Sequence, residues 1–168
     1  FCPEKSEKSE NQLMKVSLNW LRDYIDISVS PEDLAHRLTM AGLEVESINR
    51  VSPGFTGVVV ARILAVRPHP QGGKLFLCEV TAGKGTLSVV CGAPNVRKGI
   101  LVPLATVGAT IPGGYTIKSS RIRGELSEGM LCSEEELGIG EDASGIMVLP
   151  DSLRPGQDLA AALNLEDT

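Results

Sequence analysis

Arg121 and Arg123 stand two residues apart, with Lys118 just before them, and form one concentration of fixed positive charge in this sequence. Arg67 and Lys74 form a second, with the polar His69 between them, and Arg97 and Lys98 a third, beside the polar Asn95. Guanidinium and ammonium groups at such spacing neutralise phosphates, and guanidinium can do so through two parallel hydrogen bonds. In an extended segment Arg121 and Arg123 would share a face. Residues 54–124 carry nine bases against a single acid, Glu79, for a net +8. Residues 125–168 carry Arg154 against eleven acids, a net −10, and residues 1–53 come to −3. The whole-chain charge of −5 therefore conceals a strongly basic segment. Such asymmetry points to a polyanionic partner. The opposing reading is that C-terminal acids fold back and neutralise the basic face.

Other chemistry finds less support. His69, between two prolines, has a stiff backbone, but a catalytic role needs a base or acid partner that the sequence does not offer. Ser127-Glu128-Gly129 lacks the flanks of a nucleophile elbow. Gly108, Gly113 and Gly114 belong to no phosphate-loop or dinucleotide motif, so turn geometry accounts for them. Glu134-Glu135-Glu136 after Ser133 reads as a capped helix start favoured by the dipole rather than a metal cluster. Cys2, Cys78, Cys91 and Cys132 lie far apart, and His36 and His69 are the two histidines. A zinc site wants closer ligands, so buried free thiols in a reducing cytosol are expected. No apolar run approaches the ~18 residues of a membrane span, and residues 1–13 are polar, unlike a signal peptide.

The elements that position these groups can be read from spacing. Residues 1–13, with the repeat Lys5-Ser6-Glu7 and Lys8-Ser9-Glu10 before Met14, read as a tag or disordered leader. Residues 14–53 form a helical and extended unit. Leu18, Leu21 and Ile25 recur at helical spacing. Ser30 caps a helix with Pro31 at its first position, Leu34, Leu38 and Ala41 as its stripe, and Gly42 at its end. Leu43 to Val51 then alternates as a strand. Residues 54–150 change to β-branched runs split by Gly and Pro: Val58–Val66, Leu75–Thr81, Thr86–Cys91, Ile100–Thr106 and Met130–Cys132, with a long excursion from Gly108 to Gly124. Residues 151–168 hold a helix seed at Asp158–Leu165. About five short strands suit an OB-fold, whose ligand face is strands 2 and 3 flanked by loops 1–2 and 4–5. Arg67, His69 and Lys74 fall in loop 1–2, and Lys118, Arg121 and Arg123 in loop 4–5. The fold class is thus α+β, a five-stranded OB barrel inserted in a small α/β unit made from both chain ends, with the tail helix packing on the N-terminal unit.

Longer motifs narrow this further. Val66-x-x-His69-Pro70-x-x-x-Lys74-Leu75, Val90-Cys91-Gly92-Ala93-Pro94-Asn95-Val96 and Arg123-Gly124-x-x-Ser127-x-Gly129-Met130-Leu131-Cys132-Ser133 resemble the tRNA-binding domain of bacterial phenylalanine–tRNA ligase β subunits. Glu136-Leu137-Gly138 and Gly145-Ile146-x-x-Leu149-Pro150 extend the resemblance, as do Ser17-Leu18-Asn19-Trp20-Leu21 and Ala41-Gly42-Leu43-Glu44-Val45-Glu46 upstream. One departure is Gln71-Gly72-Gly73, where the family has an Asn-Ala-Asp type triplet. The resemblance implies a cytoplasmic parent enzyme that joins phenylalanine to tRNA using ATP and magnesium. It also implies a catalytic α subunit as partner, in a heterotetramer of two α and two β. It places neither the synthetic nor the editing site in this segment, so no cofactor and no catalytic residue are expected here. Phe55, Phe76 and Tyr115 are the aromatics of 54–150, a thin stacking platform, which favours backbone and shape recognition of folded RNA. The rival readings are a free-standing, chaperone-like tRNA-binding homodimer of the same fold, and a structural module whose basic face meets another subunit.

Overall fold

The computed structural model describes residues 14–168, so the leader reading of 1–13 lies outside the described residues. The segment through Arg50, joined by Asp167 and Thr168, makes one compact unit, and Val51–Glu166 makes the other.

In the first unit, helix α1 spans Leu18–Arg22 and α2 spans Pro31–Met40. Ser17 caps α1 by accepting from the Trp20 N–H, and Ser30 caps α2 by accepting from the Asp33 N–H, with Pro31 leading and Glu32 and Asp33 in the first turn. The Ser30 cap matches the sequence reading, which gave the first helix no cap. The chain's last two residues return to α1. Asp167 accepts from the Asn19 N–H at 3.0 Å and from the Ser17 hydroxyl, and the Leu18 N–H donates to the Thr168 carbonyl at 2.9 Å. The expected strand from Leu43 to Val51 does not form over 43–50. Its alternation is present, but no strand among the described residues pairs with 43–50, and Leu43 remains 64% exposed. The stripe of α2 is likewise incomplete, with no residue of the helix buried.

The second unit is a curled antiparallel sheet with few helices. Its strands are β1 Thr56–Pro68, β2 Phe76–Thr81, β3 Thr86–Cys91, β4 Leu101–Ile111, β5 Tyr115–Thr116, β6 Ser120–Ile122, β7 Glu125–Ser127 and β8 Gly129–Leu131. The main sheet runs β3-β2-β1-β4-β5, with β8 also on β4, and β6 pairs only with β7. The long β1 serves two partners: residues 56–62 pair with β4 and 62–68 with β2. Irregularities at Thr56/Val58 and Ile63/Ala65 bend it. Gly57 sits at the first of these with φ +70°, and a Cβ there would lie 3.0 Å from the Ala109 Cα, so glycine is required.

Period-two alternation on β1 and β4 divides the core into two clusters. Val58, Val60, Leu101 and Ala105 face one side, and Ala61, Ile63, Val102 and Leu104 face the other. Both faces of this strand pair are buried, which explains its nearly continuous apolar sequence. The inner cluster is completed by Cys78 and Val80 of β2, Val89 and Cys91 of β3, and Leu131 of β8. On the outer face, α3 (Glu134–Leu137) contributes Leu137 and α4 (Leu159–Ala162) contributes Leu159 and Ala160.

The far edge of β3 is returned toward β8 by side chains as well as backbone. The Glu128 N–H donates to the Ser88 carbonyl at 2.8 Å, and the Glu128 carboxylate accepts the Ser88 N–H at 3.1 Å. The buried Ser127 hydroxyl accepts the Val90 N–H and donates to the Gly129 carbonyl. Gly129 must be glycine, since a Cβ would come within 2.8 Å of the Ala105 carbonyl oxygen.

One expectation changes. The excursion from 108 to 124 is two short hairpins' worth of strand, so the unit has eight strands where five are expected. Its glycines and Pro112 hide pairing that needs only two or three residues per strand. The tail helix lays Leu159, wholly buried, in the outer cluster of the sheet. The 156–158 backbone is what carries it there, through Val60 N–H to the Gln157 carbonyl and Gly156 N–H to the Val60 carbonyl, both 2.8 Å.

Candidate nucleic-acid interface

The loop between β1 and β2 is a closed turn. Pro68 pairs with Phe76, the His69 N–H donates to the Leu75 carbonyl at 3.0 Å, and the Gly72 N–H donates to the His69 carbonyl at 2.9 Å. His69 is 3% exposed. Its Nδ1 accepts the Gln71 N–H at 3.2 Å, which leaves the proton on Nε2, 3.2 Å from the Ile122 carbonyl. The Gln71-Gly72-Gly73 departure also acquires a reason. Gly72 and Gly73 hold φ of +71° and +88°, and the site of a Cβ on Gly73 is 3.1 Å from a guanidinium nitrogen of Arg123. The two glycines are therefore set in one conformation that admits Arg123 beside the loop.

Arg123 comes from the β6–β7 turn. Ile122 pairs with Glu125, so Arg123 and Gly124 are its two central residues, with φ +49° and +90°. Positive φ at both positions is the geometry of a type I′ turn, which prefers Asn-Gly or Gly-Gly. Arg121 lies on β6, and its guanidinium donates to the Gly124 carbonyl at 3.3 Å. The two arginines therefore do not share a face by strand pleat, as an extended segment would require, because the turn intervenes between them. What brings Arg121, Arg123 and Lys74 together is the contact of turn 123–124 with loop 68–75. All three side chains are exposed.

The remaining candidates separate from this group. Arg67 is exposed but ion-paired with Glu79 across β1 and β2, which reduces its free charge. Asn95 is committed to folding: its amide donates to the Ile146 carbonyl at 2.8 Å and accepts the Ile146 N–H at 3.0 Å. Gly145 leaves room for it, as a Cβ there would lie 2.3 Å from the Asn95 Oδ1. Arg97 and Lys98 project from that anchored loop, exposed. Lys118, also exposed, follows Ile117, whose backbone is bonded to Ala109 and Gly108 of β4, and no hydrogen bond among the described residues ties it to loop 68–75.

Acids of the C-terminal part are spent locally in several places. Glu128 serves Ser88, Glu136 completes the Ser133 capping box, Asp142 accepts from Ser144, and Asp158 caps α4. Phe55 is buried in the outer cluster, Phe76 packs on the inner one, and Tyr115 on β5 is exposed. Cys78, Cys91 and Cys132 are buried free thiols; burial pushes Cys78 and Cys132 up to about 12 and raises Cys91 as well. They stay protonated and unreactive at neutral pH. Sequence reasoning missed the structural duty of Asn95 and the edge-closing role of Ser127 and Glu128. The motif containing Ser127 and Gly129 was the available signal.

A family model described as "Putative tRNA binding domain" matches residues 58–158. The chain belongs to this tRNA-binding domain family. The matched span begins in β1 and ends at the α4 cap, so it holds both halves of the basic junction and the tail segment paired to β1. The phenylalanine–tRNA ligase β subunit of Syntrophus aciditrophicus (strain SB) is 64% identical over 155 residues, covering 92% of this chain and 19% of that protein. Those of Bordetella parapertussis and Legionella pneumophila (strain Lens) are 53% and 52% identical, each over 92% of this chain and 19% and 20% of their own length. The chain thus spans about a fifth of the relatives it matches. Among solved structures, a MetRS related protein from Pyrococcus horikoshii overlays with a TM-score of 0.46 at 16% identity, over 61% of this chain and 87% of that one.

Proposed function

We propose that this tRNA-binding domain holds folded tRNA within a phenylalanine–tRNA ligase β subunit and takes no part in bond making. The observation that carries this is the junction of loop 68–75 with turn 123–124, which gathers Lys74, Arg121 and Arg123 on the basic part of a chain in the tRNA-binding family. Cationic side chains on an ordered backbone neutralise phosphates and fix register, and need no catalytic group to do so. The curled sheet is read as an OB barrel, with the β1–β2 loop and the β6–β7 turn in the places where that fold meets its ligand. Arg97, Lys98 and Lys118 are outlying phosphate contacts, Arg67 is a contact weakened by its ion pair, and His69 and Asn95 act on the backbone.

The parent enzyme's ATP and magnesium are placed outside this segment. Glu136 of the acidic run 134–136 is committed to the capping box. A catalytic α subunit as partner, and the cytoplasm as location, belong to the same proposal. No helix of the described residues is long and apolar enough to cross a membrane.

Competition is the test. Folded tRNA should displace a labelled tRNA more effectively than an unstructured single strand of equal length, because Tyr115, the one exposed aromatic of the unit 51–166, offers little base stacking. Stronger displacement by the single strand would replace this reading with one of single-strand binding.

A further inference from the structure

Resting on the tRNA-binding reading, we propose that loop 68–75 and turn 123–124 form one composite phosphate seat, with the buried His69 as the positioning residue that holds its two halves together. His69 is the direct hydrogen bond between the two segments: Nδ1 fixes Gln71 in its own loop, and Nε2–H fixes Ile122, the residue preceding Arg123. The far side of the junction is steric. Arg123 reaches over Gly73, and Gly124 approaches the Gln71 side chain, where an added Cβ would lie 3.8 Å from its Nε2.

Two independent features mark this as a seat rather than a packing contact. The first is the backbone of Arg123. A left-handed φ of +49° disfavours any residue with a Cβ, and the turn would be satisfied by Asn or Gly. Arginine at that point forgoes the better turn residue to present a guanidinium. The second is the company of that guanidinium. It has no carboxylate partner among the described residues, and in the loop it reaches over, the N–H groups of Gly73 and Lys74 donate to no acceptor among them. A cation beside a loop with two unused backbone donors suits one tetrahedral anion. The phosphodiester of a folded nucleic acid is the ligand class, and inorganic phosphate is the probe for it.

His69→Asn and His69→Gln divide the imidazole's two bonds. Asn retains an acceptor near Nδ1 and loses the bridge to Ile122; Gln retains a donor near Nε2 and keeps it. In the wild-type chain inorganic phosphate should shift the Arg123 Nε–H and Gly73 N–H resonances together, in His69→Gln likewise, and in His69→Asn not. With tRNA, Arg123→Ala should weaken binding on the order of tenfold in the wild-type and His69→Gln backgrounds and less than twofold in His69→Asn. An equal loss from Arg123→Ala in all three backgrounds would overturn the composite seat while leaving tRNA binding intact. Phosphate shifts with no tRNA binding by the wild-type chain would instead sink the functional reading and leave the seat standing. Should His69→Asn fail to fold, the wild-type ring decides: a proton on Nε2 whose exchange slows when phosphate binds supports the latch, and a proton on Nδ1 contradicts it.

Discussion

Asn95 sits in a basic loop, yet both ends of its amide are bonded to the backbone of Ile146. Removing them leaves a part-buried N–H and carbonyl to find other partners, at about 1–3 kcal/mol. Asn95→Ala should therefore lower the urea midpoint of the native chain while leaving the salt dependence of tRNA binding unchanged. A changed salt slope at constant stability would return Asn95 to the RNA contacts. The thiols make a second prediction. Cys78 and Cys132 have pKa values raised to about 12 in the folded chain. A raised thiol pKa stabilises the fold fully below the unfolded value, near 9, and that contribution is lost as pH rises from there toward 12. With Cys2 and Cys91 replaced by Ser, native protein should show no thiolate absorbance at pH 9–10, and unfolded protein should show it. Residue types alone marked Asn95 and His69 as polar groups in binding loops. Their partners, Ile146 and Ile122, lie 51 and 53 residues away and use only backbone atoms, which no side-chain pattern signals.

At the scale of elements, the tail helix is the sharpest point. The four-residue α4 is too short to be stable by itself, so its existence depends on Leu159, which is wholly buried on the outer face of β1 and β4. Leu159→Ala should cost about 2–5 kcal/mol in equilibrium unfolding of the sheet. A loss below about 0.5 kcal/mol would show that the outer cluster does not need the tail. Truncation after Pro150 should accordingly lower amide protection in β1, where 156–158 pairs with Val60, and not merely in the N-terminal helices. The central strands were legible in sequence because period two and glycine-rich turns frame them; Thr86–Cys91 was read to the residue. The tail helix was read as a helix, without its place in the outer cluster of the sheet. An apolar stripe states that a face must be covered and says nothing of which face covers it. Similarly, β5, β6 and β7 escaped because two- and three-residue strands are set by register with distant neighbours rather than by their own composition.

Across the whole chain, charge segregates by sequence segment, from +8 over 54–124 to −10 over 125–168. The structure turns several of those acids into caps and edge closures. The last of them, Asp167, ties the chain's end to α1, and its hydrogen bonds from Ser17 and the Asn19 N–H hold its carboxyl below the ordinary aspartate range. A lowered carboxylate pKa gives stability that is present above the unfolded value and lost as pH falls through the folded one. Protection of the Asn19 amide should therefore fall in acid before that of the β1–β4 pair, and simultaneous loss would contradict the assignment. The central claim is that the exposed cations at one junction hold tRNA phosphates. Its most direct test is a titration of folded tRNA into the chain across salt, beside a variant with Lys74, Arg121 and Arg123 all changed to Ala. If about five phosphates are neutralised, log K for the wild type should fall with log salt at a slope on the order of −4, and the variant's slope should be shallower by about 2 to 3. Equal affinity and an unchanged slope in the variant would place the tRNA elsewhere on the molecule.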